Sequence, residues 1–170
     1  MLFMDGSNPL LYRVTLTLMT LCDVFLGLGE QNFEGLLRTI SMGKLRTYQL
    51  FDRLKMRAHL SKLSSETLRR ASPRLWARMG EGNEDFATDI SQAALVSHLE
   101  MIQGVLNFLG IPHEDGFFPK DADVSSYLTE GWQERVWQQF RGTSPAPALL
   151  FYINHLDWEV RKAESVYIPS

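Results

Sequence analysis

The stretch Asn83–Leu109, NEDFATDISQAALVSHLEMIQGVLNFL, decides the fold class. Its apolar residues Phe86, Ile90, Ala93, Ala94, Leu99, Ile102, Val105, Leu106 and Leu109 recur at three- and four-residue steps, which lines one face of a 3.6-residue helix. Asn83 is placed to cap the first free amides, and Glu84 and Asp85 put negative charge at the positive end of the helix dipole. Gly110 and Pro112 end the pattern. The rest of the chain is expected to pack around one central helix over about 84–109.

Outward from that helix, the other segments also read as helical. Residues 44–63 carry Thr47, Leu50, Phe51, Leu54 and Ala58 on one stripe, with Arg46, Arg53, Arg57 and Lys62 mostly off it. Ser64 or Ser65 caps a short helix, ETLRRA, and Ser72-Pro73 restarts another through Leu75, Trp76 and Met79, since proline suits a first helical position. After the 84–109 stretch comes a loop, IPHEDGFFPKDAD, with two prolines, a glycine and four acids. Asp123 then caps a helix with the stripe Val124, Leu128, Trp132, Val136 and Phe140, ended by Gly142. Ser144 and Pro145 open the last helix, whose inward residues are Leu149, Tyr152, Ile153, Leu156 and Val160. The expected fold is all-α, an irregular bundle of four to five main helices.

Domain organisation follows from composition. A chain of 170 residues with 45% hydrophobic and 22% charged residues suits one packed domain. Residues 1–41 differ from the remainder in being sparse in charge, with an apolar run from Val14 to Leu28 interrupted by Asp23. That run is short for a membrane span, and it lacks the basic start and small-residue cleavage site of a secretory signal. It is assigned to a buried helix from about Pro9 to Leu28. The competing assignment treats 1–41 as a leader outside the core, with the domain at 42–170 and translation starting at Met42. Cys22 is the only cysteine, so no intramolecular disulfide forms, and the expected compartment is the cytoplasm, without a membrane.

Charge is divided along the chain. Residues 38–78 hold eleven Lys and Arg against two acids, a net of +9, and everything from Met79 onward sums to −9. A helix-turn-helix would use Lys62, Arg69, Arg70, Arg74 and Arg78 against nucleic acid, although Pro73 would leave a recognition helix of only about six residues. A metal site in a helical bundle would draw on His98, His155 and Glu159, the last two being four apart on one helix face. There is no Glu-x-x-His and no His-x-x-x-His to support it. Asp121, Asp123 and Ser125 match the first offsets of a calcium loop, but Ser126 and Trp132 stand where glycine and glutamate are required. The loop residues His113, Glu114, Asp115, Phe117 and Phe118 set ionisable groups beside aromatics, a mixture suited to contacting a ligand or partner. No nucleophile arrangement or phosphate-cradling glycine motif is present. The expected function is therefore a non-enzymatic interaction or self-association module, binding a protein partner or a second copy, with no cofactor. Nucleic-acid binding and metal-dependent catalysis are the alternatives.

Overall fold

The structure, a computed structural model, describes residues 18–53 and 63–170, and these form an all-α bundle with no strand among them. The helices are more numerous and shorter than expected. In order they are α1 Leu21–Leu28, α2 Glu30–Thr39, α3 Met42–Thr47, α4 Leu50–Arg53, α5 Ser65–Gly80, α6 Glu84–Ser97, α7 Leu99–Leu109, α8 Trp132–Phe140 and α9 Ala146–Arg161. The beginning of the expected Pro9–Leu28 helix and the end of the 44–63 helix lie outside the described residues.

The 83–109 stretch is helical along its length but jointed at His98, whose backbone leaves helical values (φ −127°, ψ 33°). Two ties to the α2–α3 junction sit at this joint. His98 Nε2 is 2.7 Å from Thr39 Oγ1, and Ser41 N–H donates to Ser97 Oγ at 3.1 Å. The outer ends behave as the sequence indicates: Asn83 Oδ1 accepts from Phe86 N–H, and Gly110 adopts a left-handed conformation while Ile111 N–H closes back onto Leu106 C=O.

Three other expectations are corrected. Residues 65–80 form one continuous helix, not two. Pro73 lies on its exposed side, where water can take the carbonyl that proline leaves unbonded, while Leu68, Ala71, Leu75 and Met79 are buried on the other. The 44–63 helix is interrupted at Tyr48–Gln49, with Gln49 at φ 53°, which separates α3 from α4. The helix expected from Asp123 begins only at Trp132. Residues 125–127 make a single 3₁₀ turn, and Gly131 at φ 71° reverses the chain before α8.

The apolar run before Asp23 has a local explanation. Thr20 and Asp23 form a reciprocal capping box: Thr20 N–H donates to Asp23 Oδ2 at 2.8 Å, and Asp23 N–H to Thr20 Oγ1 at 3.2 Å. Asp23 is therefore the third residue of α1, not an interruption. Val24, Phe25, Leu28, Phe33, Leu36 and Leu37 from α1 and α2 are all buried in the main core, so residues 21–40 are built into the fold.

α9 is the shared wall of the molecule. Every residue from Ala148 to Asn154 is buried. Leu150 and Phe151 face a first hydrophobic cluster made with α1 to α6, in which the Phe25 ring stacks on Phe151 (4.9 Å, 16°) and meets Phe33 edge-on. Leu149, Tyr152, Ile153 and Leu156 face a second cluster with α7, α8, Ile111, Val124 and Leu128. α2 comes so close to α9 that a Cβ on Gly35 would lie 2.6 Å from Pro147 Cγ. The tail after α9 is tied back by the buried Asn154 side chain, which accepts from Tyr167 N–H at 2.7 Å and donates to Tyr167 C=O at 2.9 Å.

Candidate functional site

The 111–123 loop contains a tight hairpin. Glu114 and Phe117 exchange both backbone hydrogen bonds, at 2.8 and 2.9 Å, around Asp115 (φ 50°) and Gly116 (φ 92°). Two positive φ values in succession define a two-residue turn of the mirror-image type I kind, for which Asp-Gly is a preferred pair. His113 buttresses the turn. Its Nδ1 accepts from Gly116 N–H at 3.2 Å, which places the ring proton on Nε2, 3.1 Å from Asn107 Oδ1. The turn presents Phe117 to solvent, 60% exposed, while Phe118 folds back against the second cluster.

Phe117 and Phe118 stand over a cleft of about 490 Å³ between the hairpin, α6, α7 and α9. Its apolar lining includes Leu95, Leu99, Ile102, Leu156 and Trp158, together with Leu21 of α1. Thr88, Ser91 and Gln92 of α6 add hydroxyl and amide groups, and Tyr152, His155 and Glu159 of α9 supply the polar end. A volume and lining of this kind are those of a ligand or side-chain pocket. Residues at 152, 155 and 159 share one helix face, so the three polar groups form a stripe down the cleft wall.

The electrostatics of that stripe follow from burial. His155 is 12% exposed in its side chain, with Nδ1 3.4 Å from Glu159 Oε2, and its ring lies against Phe151 and Trp158. Desolvation lowers its pKa from 6.5 to about 4, so the ring is neutral near pH 7. Glu159, half-exposed at the mouth, is held above the usual carboxylate range by partial burial, with the nearby Lys162 charge acting in the opposite sense. Burial, then the charge of Glu159, push the Tyr152 phenol well above its ordinary value.

The other sequence-derived candidates are dispersed. His98 lies apart from His155 and Glu159, in a separate cleft with Glu100, Met101 and Phe140, so the proposed metal set is not assembled. Among the described residues no three His, Cys, Asp or Glu converge as metal ligands would. Glu114 and Asp115 are exposed at the hairpin tip. Asp123 accepts a hydrogen bond from Ser125 Oγ at 2.8 Å just before the 3₁₀ turn; that bond and the Ser126 amide hold its carboxyl below the usual range. Lys62 lies outside the described residues. Arg69, Arg70 and Arg74 are exposed on α5, Arg70 pairing with Glu66 of its own helix at 2.7 Å, while Arg78 sits over the Phe86 ring at 5.3 Å. Cys22 is buried, and its thiol is pushed up to about 12 by burial and by Glu84, which makes it inert rather than nucleophilic.

Reading the sequence alone missed Tyr152, Trp158, Thr88, Ser91 and Gln92. The available signal was the spacing of Tyr152, His155 and Glu159, which puts three polar groups on one face of α9. No helix among the described residues is long and apolar enough to cross a membrane. No protein-family model, curated protein or solved structure matches this chain.

Proposed function

We propose that this protein is a cytoplasmic, non-enzymatic interaction module that receives an apolar segment of a protein partner in the cleft between the 114–117 hairpin and α9. The observation that carries the proposal is Phe117. A tight turn, braced by His113, holds this ring 60% exposed at the rim of an apolar cleft, where it gains no burial in the isolated chain. Exposed aromatics beside a concave apolar lining are the usual anchors of an interface. Among the described residues, no second histidine and no hydroxyl nucleophile is hydrogen-bonded to His155, which supports binding over nucleophilic catalysis.

The test is site-specific photocrosslinking in cells with benzoylphenylalanine in place of Phe117, with and without Gln92→Trp. Gln92 is an exposed lining residue, so the larger ring fills the mouth without overpacking the core. A discrete adduct at Phe117 that disappears with Gln92→Trp, while the thermal melt is unchanged, is the expected result. Absence of an adduct, or an adduct indifferent to Gln92→Trp, would overturn the proposal.

A further inference from the structure

The apolar wall and the polar end of the cleft call for different parts of a ligand. Around the wall, the rings of Phe117, Phe118 and Trp158 and the branched chains of α6 and α7 match an aliphatic stem. At the polar end the described lining residues contain one carboxylate, Glu159, and no lysine or arginine. An anionic group placed there would meet Glu159, while Lys162 is held on a backbone carbonyl outside that lining. A cation would find both the carboxylate and the negative faces of aromatic rings.

One further group at this end has no hydrogen-bond partner among the described residues. Tyr152 is only 5% exposed, lines the cleft, and no hydrogen bond to its hydroxyl is formed among the described residues. His155 is already turned to Glu159, Nδ1 lying 3.4 Å from Oε2. Buried polar groups normally have partners, and a phenol that lacks one in a cleft wall is open to a hydrogen-bonding occupant. Lys162 does not fill this place. Its Nζ donates to the backbone carbonyl of Glu159 at 2.9 Å, lies 5.6 Å from the Trp158 ring centroid, and is not among the groups that line the cleft.

We propose that Tyr152 and Glu159 form a subsite for a primary ammonium on an aliphatic stem, the chemistry of a lysine side chain set among apolar residues of the partner segment. Glu159 accepts one N–H as an ion pair at the mouth. The Tyr152 hydroxyl oxygen accepts another, and the rings of His155 and Trp158 flank the stem. This rests on the cleft being the partner-binding site, and the experiment separates the two ideas.

The probes are n-hexylamine, n-hexanol and hexanoate, titrated into the full chain and followed by the NMR signals of the Trp158 indole and the His155 ring. Hexylamine stands in for the lysine side chain. The expected order is amine, then alcohol, then carboxylate, with the amine binding about tenfold tighter than the alcohol. Glu159→Gln, at a half-exposed position that leaves the fold intact, should bring the amine down to the alcohol's affinity and leave the alcohol unchanged. Equal binding of amine and alcohol, or equal losses for both in Glu159→Gln, would overturn the ammonium subsite while leaving the cleft as a binding site. If none of the three probes moves either signal, the cleft reading and the subsite both fail.

Discussion

The two sides of α9 are built from the same kinds of residue and closed to different degrees. Toward the first cluster, Leu150 and Phe151 join a layer of buried aromatic and aliphatic side chains from α1, α2, α5 and α6. Toward the second cluster, Tyr152 and Leu156 pack with residues of α7 and α8 and also line the open cleft, whose wall includes Leu21 and Trp158 from the edge of the first cluster. Apolar surface that is covered within the chain contributes to folding, and surface of the same chemistry left open is available for binding. On the proposed function, α9 separates a half closed within the chain from a half that receives a partner.

The hardest way to break this division is to remove part of the closed half. A chain started at Met42 would lose α1 and α2, with Phe25, Phe33, Leu36 and Leu37, and would uncover Phe151. It should show no cooperative thermal melt by circular dichroism; a melt coinciding with that of the full chain would show that the first cluster is not what stabilises the fold. Phe25→Ala makes the same point on a smaller scale. Its ring is fully buried between Phe33 and Phe151, so the substitution should cost about 3–5 kcal/mol in urea unfolding. A loss below about 1 kcal/mol would mean that the cluster repacks freely.

The cleft-facing side of α9 should reveal itself through pH. His155 has a folded-state pKa of about 4 against 6.5 unfolded, so the unfolded chain binds more protons between those values. Stability contributed by the neutral ring is therefore complete above about pH 6.5 and is lost as pH falls toward 4. The full shift corresponds to on the order of 3 kcal/mol. Glu159, with its pKa raised, opposes this over the carboxylate range, and His98, lowered by burial, adds to it. His155→Leu should flatten the fall in melting temperature between pH 7 and 4. An unchanged profile would assign the acid sensitivity to other groups.

Much of the architecture was legible because its signals are local. Asn83 and Gly110 bound their helical stretch as the residue types require, and the inward residues of α9 follow from their spacing. Other local signals were present but outweighed: Thr20 and Asp23 form a capping box inside a run dominated by leucine, and Asp115-Gly116 is a hairpin turn inside what reads as an irregular loop. Pro73 misled in the opposite direction, since an interior proline marks a helix break unless its side of the helix faces water. The joint at His98 has no local signature, because the groups it bonds to, Thr39 and Ser41, lie more than fifty residues away. The cleft shares that limit. Its hairpin and its α9 stripe each carry a pattern, but only tertiary packing sets Phe117 opposite Glu159 and brings Gln92 and Leu21 to the same wall.

The position of α9 in the chain also governs when the protein can fold. α1 and α2, near the beginning, bury their aromatic faces against a helix near the end, and Met19 C=O accepts from Trp158 Nε1–H across 139 residues of sequence. During synthesis Phe33 can meet Trp76 once α5 has emerged, but the face of Phe25 that stacks on Phe151 stays uncovered until residues 146–161 have left the ribosome. The first cluster is thus completed only at the end of synthesis, by the helix that closes its last aromatic face.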